Sequence, residues 1–415
     1  MKRWKKIVLL LLGLILVSQL PFIYRRYRLG RLNAAIQELN SARAIAQGSD
    51  QLYADYRGVM HVHSALGGHS TGSFEEIIRA AELNDLDFVV MTEHPSSGFN
   101  TAAMTLKGMH GRALFVGGSE VSTTGGDRLL LVPGNTESTT TSAGGAQQQQ
   151  QQPSSTQEVI DEENRRGGLA FIAYPQEFHT WEAKDYAGIE VYNLYTNARR
   201  INYFLLFFDG LWSYWSYPEL MFATFYEKPS EALAKWDEQI AKRNVRLAGI
   251  AGNDAHSNIG ISLGDATGKK LLQIKLDPYE RSFRIVRNHV LIEKEKPLSE
   301  DSLLHALRSG HSYISFDLFC DATGFTYVAE NRIEKRMVGD EIGLEGGVRL
   351  RVSAPVKCRI VLIKDGARLM EGSETARAEF NVTERGAYRV EVYLDKLGAA
   401  FQDRPWIITN PIYVR

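Results

Sequence analysis

One pattern recurs between residues 57 and 256: a short apolar run that ends on polar residues, with helical spacing between the runs. RGVMHVHS (57–64) ends in histidines and LDFVVMTEH (86–94) in Glu93 and His94. RALFVGGSEVS (112–122) carries Glu120, and VRLAGIAGNDAH (245–256) ends in Asp254 and His256. DRLLLVPG (127–134), GGLAFIAYP (167–175) and GIEVYN (188–193) read as further strands. FEEIIRAAELND (74–85), VIDEENRRGG (159–168) and PSEALAKWDEQIAKR (229–243) read as helices. Strands alternating with helices predict an α/β fold with a parallel sheet. Polar tips at the carboxyl ends of several strands predict a barrel-like enzyme, because barrel active sites are built at that end.

The flanking segments differ. Residues 317–415 contain VRLRVSAP, CRIVLIKDG, ARAEFNVTERG and YRVEVYL, which alternate apolar and polar residues between turn signals. They predict an antiparallel β-sandwich. Both cysteines, Cys320 and Cys358, fall there, and spacing alone leaves open whether they reach bridging distance. Two cysteines exclude a disulfide-built scaffold and a cysteine-rich metal site. Residues 135–157, NTESTTTSAGGAQQQQQQPSSTQ, cannot bury a core and read as a loop inserted in the domain.

The formal charge of −1 is the sum of two unlike parts. Residues 1–35 hold eight basic residues and no acidic one, leaving 40 basic and 49 acidic side chains in residues 36–415. Between the basic clusters, residues 7–24 form an uncharged run of 18. At 1.5 Å per residue it spans about 27 Å, enough to cross a bilayer core. The run is longer than the apolar region of a usual signal peptide, and no small-residue cleavage site follows it. A single-pass membrane anchor over 1–32 is the reading, followed by a helical connector over 33–56 and a body outside the cytoplasm. A cleaved signal peptide is the alternative. An acidic body repels a polyanion, which argues against a nucleic-acid partner. Nothing in the sequence identifies a protein partner.

Of ten histidines, His61, His63, His69, His94 and His256 sit at strand tips or just after one. Glu93, Glu120 and Asp254 add carboxylates at the same places. His61 and His63 are two apart on a strand, so both face one side and can share a metal. Imidazoles with carboxylates suit manganese, iron or zinc and not calcium.

HVHS (61–64), GSFEEIIRAAELNDLDFVVMTEH (72–94), GSEVS (118–122), GGLAFIAYP (167–175) and GNDAH (252–256) together resemble, in order, the motifs of the polymerase-and-histidinol-phosphatase (PHP) family. PWIITNPIYV (405–414) resembles the C-terminal extension of its membrane-anchored members. The resemblance covers roughly residues 55–316, with the barrel placed at 57–316, and implies a metal-dependent phosphoesterase on a distorted seven-stranded β/α barrel. It implies one metal site of His61, His63, Glu120 and Asp254, and a second of His69, His94 and His256. Such metals acidify a water and clamp phosphoryl oxygens, with Asp254 as the other candidate to activate the water. A third site is incomplete: the family's A-H-P histidine is Tyr174, and the strand DRLLLV offers only Asp127 and Arg128. Either His179 or Asp127 substitutes, or the third metal is absent and one or two remain. Arg128 is then the candidate to hold a phosphoryl group, since guanidinium pairs with it bidentately.

Three further positions carry two readings each. Glu93 either orients His94 or is a solvated loop carboxylate. Glu190 matches a family position, with a strand-end structural role preferred. Residues 201–226, dense in aromatics, are either a helical excursion packed on the body or an amphipathic segment at a membrane interface. The functional reading is a membrane-anchored metallohydrolase for a phosphate ester. Its rival is a degenerate barrel that binds a metal or ligand without turnover.

Overall fold

The computed structural model describes residues 3–44, 52–134, 154–198, 202–223, 226–258, 260–264 and 270–415. The low-complexity stretch predicted as a loop lies mostly outside them, and its end, from Thr156, already belongs to a helix.

The chain opens with α1 (Arg3–Ser41), which is long and apolar enough to cross a membrane. Large apolar side chains from Trp4 to Leu20 are exposed, whereas Phe22, Leu29, Leu32 and Leu39 are buried. The predicted change from anchor to connector at residue 32 is therefore not a break. One helix runs through it and exchanges open surface for packing at Phe22. The end of the predicted connector is strand, since β1 (Tyr53–Val62) begins at Tyr53.

After β1 come β2 (Phe88–Met91), β3 (Gly108–His110), β4 (Ala113–Val116), β5 (Ser119–Ser122), β6 (Arg128–Val132), β7 (Leu169–Ala173), β8 (Gly188–Asn193) and β9 (Ala248–Ala255). The helices among them are α2 (Phe74–Leu83), α3 (Thr101–Met104), α4 (Thr156–Arg165), α5 (Leu194–Ala198), α6 (Tyr203–Ser213), α7 (Pro218–Ala223) and α8 (Ser230–Arg243). Capping boxes start α2 at Ser73 with Glu76 and α4 at Ser155 with Glu158.

The sheet is mixed, a correction to the parallel sheet predicted. β1 lies parallel to β2 and β9, β2 to β4, β7 to β8, and β8 to β9. A bridge from Glu93 to Ser119 links the end of β2 to β5, and β5–β6 and β6–β7 are antiparallel. Followed in order, these pairings lead from β1 back to β1. The β5–β6 pair follows from chain length: residues 123–127 are too few for the crossover that parallel neighbours need. β7 is parallel to β8 and opposes the reversed β6. The run 112–122 also divides into β4 and β5. A Cβ on Gly118 would lie 2.5 Å from the Met91 carbonyl oxygen and 2.7 Å from that of Leu131, so the chain passes too close for a side chain.

A hairpin of β10 (Gly260–Gly264) and β11 (Lys270–Lys275) precedes α9 (Tyr279–Ile285), β12 (Arg287–Glu293), α10 (Glu300–Ser309) and β13 (Ser312–Ser315). The rest is largely antiparallel strand: β14 (Thr326–Glu330), β15 (Lys335–Met337), β16 (Glu341–Ile342), β17 (Val348–Lys364), β18 (Ala367–Val382), β19 (Gly386–Tyr393), β20 (Ile407–Thr409) and β21 (Ile412–Val414). The predicted boundary at 316/317 is bridged by the sheet. β12 pairs with β1 and β13, and β20 pairs with both β13 and β19. Cys320 and Cys358 are buried free thiols, and burial pushes both up to about 12.

Alternate residues of β1 serve opposite faces. Met60 packs with Phe88, Phe171 and Ile250, while Val59 and Val62 pack with Ile77, Val89 and Phe283. The histidines of interest lie where that alternation ends.

Candidate metal centre

The regular pairing of β1 breaks between Val59 and Val62, and His61 has φ 64°. Strand alternation alone, as the sequence reading had it, is thus not what sets the His61 ring. Asp254 (φ 47°) and Tyr174 (φ 48°) are also left-handed. Each such non-glycine residue costs about 1–2 kcal/mol, held in place by its surroundings. All three meet at one spot.

Glu120 Oε2 is the focus. It lies 3.2 Å from His61 Nε2, 3.3 Å from His63 Nε2 and 3.5 Å from His94 Nε2. Asp254 Oδ1 lies 3.5 Å from His61 Nε2, 3.5 Å from His63 Nε2 and 3.4 Å from His256 Nδ1. The His63 ring is stacked between those of His94 (4.6 Å) and His256 (4.4 Å). Two sets come within ligand distance of a common ion: His61, His63, Glu120 and Asp254, all buried, and His63, His94 and His256. The buried four-residue group can hold a metal ion. The second grouping has His63 where the sequence assignment had His69. That residue is exposed and touches the cluster edge-on through the His94 ring at 4.7 Å.

The donor set fits a divalent ion. Both ring nitrogens of His63 and Asp254 Oδ1 are buried without a hydrogen-bond partner. Buried polar atoms left unpaired are costly, and a cation shared with Glu120 would satisfy those that face it. Against the cost of burial, the carboxylates of Glu190, Asp254 and Glu120 raise the His61 imidazole well above its ordinary value, and Asp254 and Glu120 raise His63. The imidazoles hold Glu120 and Asp254 well below the carboxylate range despite burial. Burial and the neighbouring His63 push His94 down to about 4, which leaves a neutral imidazole at pH 7 able to serve as a ligand. Protons balance this cluster when no metal does, so metal binding releases them.

Residues behind the cluster aim it. Glu190 Oε1 is 2.6 Å from His61 Nδ1, with both side chains fully buried. Ligating histidines are commonly oriented this way. The strand-end role preferred for Glu190 in sequence thus takes the form of a buried hydrogen bond to His61 beneath the candidate ligands. The family-position match was the available signal. Tyr174 donates a 2.6 Å hydrogen bond to Asp254 Oδ2, and Asn193 reaches the same oxygen at 3.4 Å. Arg128 lies 3.3 Å from Glu120 Oε1 and over the Tyr174 ring, with its side chain 41% exposed.

Other candidates lie elsewhere. Asp127 accepts from the backbone of His179 and Thr180 and from the Thr156 hydroxyl, tying loops together. The His179 side chain is 73% exposed, and neither residue joins the ligand sets. Glu93 is buried and accepts from Ser64 and Thr105. It braces the loop after β1, which replaces both sequence readings of it.

No protein-family model matches the chain, and no curated protein matches it. Among solved structures, the crystal structure of PsfC from Pseudomonas syringae PB-5123 is similar at 11% identity and a TM-score of 0.36, over 63% of this chain and 91% of that one. A likeness at that level says nothing about chemistry.

Proposed function

We propose that the chain is a membrane-anchored, metal-dependent phosphoesterase of the PHP type, built on a distorted β/α barrel with a C-terminal β-sandwich. The observation that carries this reading is the convergence of His61, His63 and His94 on one oxygen of Glu120, with the unpartnered atoms of His63 and Asp254 beside it. Bound there, manganese, iron or zinc would supply an acidified water and a clamp on phosphoryl oxygens. Glu190 holds His61 in orientation, and Tyr174 and Asn193 hold Asp254. Asp254 stays ionised well below neutrality, which suits it to ligation better than to taking a proton. Arg128 stands at the edge of the cluster with solvent access and offers its remaining N–H groups to a phosphoryl oxygen.

The substrate class is a small or envelope-associated phosphate ester, with the body outside the cytoplasm. A reporter fused to the C-terminus reads that side. Metal analysis of the purified chain, then phosphomonoester and phosphodiester assays with manganese, tests the activity. Metal-dependent turnover that falls at least tenfold in Glu120→Gln is expected. A metal-free, inactive protein would sink the proposal.

One observation favours the rival binding module: the position expected for a third-site histidine holds Tyr174, whose hydroxyl occupies Asp254 Oδ2. Bound metal without turnover across both ester classes would establish that reading.

A further inference from the structure

A cavity of about 780 Å³ lies away from the histidine cluster, among α1, α6, α7 and the loop at residues 396–404. It is of the size that takes a small organic ligand. Arg25, Arg28, Arg31, Lys396 and Arg404 line it against one acidic residue, Asp209. Asp209 is spent on Arg25 at 2.6 Å, and Lys396 pairs with Glu38. Arg28 has no ion pair or hydrogen bond among the described residues, and Arg31 has only a 3.5 Å contact with the Tyr27 hydroxyl. Leu29, Leu32, Leu205 and Met221 form the apolar part of the wall.

Position decides the occupant. The basic residues begin at Arg25, directly after the uncharged run that ends at Tyr24. They therefore stand at headgroup depth when α1 spans a bilayer. Helix α6 is fixed to α1 from Gln19 to Arg25, over the last turns of the uncharged run and the first basic residue. Phe208 stacks on Phe22 at 4.9 Å, Arg25 forks onto Asp209, and Trp212 Nε1 donates to Gln19. On α6, Phe204, Phe207 and Leu211, spaced three and four apart, are exposed, and Trp215 just beyond is 85% exposed. An apolar stripe beside an apolar span, with tryptophan at its end, is covered by lipid.

We infer that this cavity is a binding site for an anionic phospholipid of the host bilayer. Its phosphate is held by Arg28 and Arg31, and its apolar part lies against Leu29, Leu32 and Leu205. The inference rests on α1 being a membrane span and is independent of the metal chemistry. The site holds a lipid beside the body and selects for negative headgroups.

The test uses the full chain, purified in a neutral detergent and titrated with short-chain phosphatidylglycerol, short-chain phosphatidylcholine or inorganic phosphate, with adducts counted by native mass spectrometry. Phosphatidylglycerol is expected to bind at least tenfold tighter than phosphatidylcholine. The double variant Arg28→Gln, Arg31→Gln removes that preference, as loss of two basic groups at an anionic surface predicts. Arg28→Lys with Arg31→Lys retains it. Neither arginine makes a structural contact of note, so the variants fold. Equal binding of the two lipids, an unchanged Gln variant, or adducts of inorganic phosphate alone would overturn the lipid site. Alkaline carbonate extraction separates the premise. A chain that stays in the membrane yet shows no lipid preference refutes the site alone, and a chain that is released refutes the span and the site together.

Discussion

Gly252 is the smallest residue at the candidate metal centre and one of its tightest constraints. A Cβ there would sit 1.7 Å from Glu190 Oε1. Gly252→Ala is therefore predicted to push the Glu190 carboxylate off His61. Glu190→Gln removes its charge directly. Each is expected to weaken metal binding by about 10–100-fold, the usual cost of losing the group behind a ligating histidine, measured by competition with a chromogenic chelator. Tyr174→Phe strips one buried oxygen of Asp254 of its 2.6 Å partner. A loss of about 1–3 kcal/mol in stability is expected, with metal content retained. If the metal were lost as well, Tyr174 would hold the ligand geometry and not only the fold.

At the scale of elements, the aromatic stretch divides between packing and exposure. Leu220, Met221 and Tyr226 are core residues, whereas Phe204, Phe207, Leu211 and Trp215 face outward. The prediction is spectroscopic. In a Trp4→Phe background reconstituted into vesicles, lipids brominated near the headgroup quench the remaining fluorescence, and adding Trp215→Phe removes the larger part of the quenching. Unquenched Trp215 would place α6 in water. The same scale explains the left-handed residues. β1 and β9 lose register where His61 and Asp254 turn inward, so strand irregularity is what gathers the candidate ligands from separate strands.

The whole molecule is tied together by two buried ionic groups. His289 on β12 lies between Asp55 of β1, 2.9 Å from Nδ1, and Asp317 beyond β13, 3.2 Å from Nε2. Although burial opposes it, these carboxylates raise the imidazole to about 10 from 6.5. A raised folded-state value stabilises the fold fully below about pH 6.5, and that contribution is lost as pH rises towards 10. Thermal melts are expected to fall across that window, and His289→Gln flattens the slope while lowering stability at pH 7. Elsewhere, Arg389 on β19 holds Asp237 of α8 at 2.8 Å and Glu391 at 2.7 Å, with little exposure. Arg389→Ala strands the buried Asp237 carboxylate, while Glu391 keeps Lys228 at 2.5 Å, and a loss of about 3–5 kcal/mol by denaturant titration is expected.

Composition and order in the sequence carried several things unaided. The uncharged run and its basic flanks are local, so the long apolar helix was legible, as was its exposure. The α/β character and the antiparallel strands after 317 were legible because periodicity records which faces are buried. Glu120, Asp254, His61 and His63 could be named because they end apolar runs. Tertiary structure alone decided the rest. Whether His69 or His63 completes the second grouping depends on where a loop folds back. Glu93 and Glu190 look alike in sequence, each a carboxylate near a strand end. Only packing puts one beneath His61 and the other against Ser64 and Thr105. The basic cavity belongs to neither reading of the aromatic stretch, because its walls come from residues 25–35, 202–221 and 396–404. Local pattern determines what a segment buries. Long-range closure determines which buried groups meet, and the chemistry resides in those meetings.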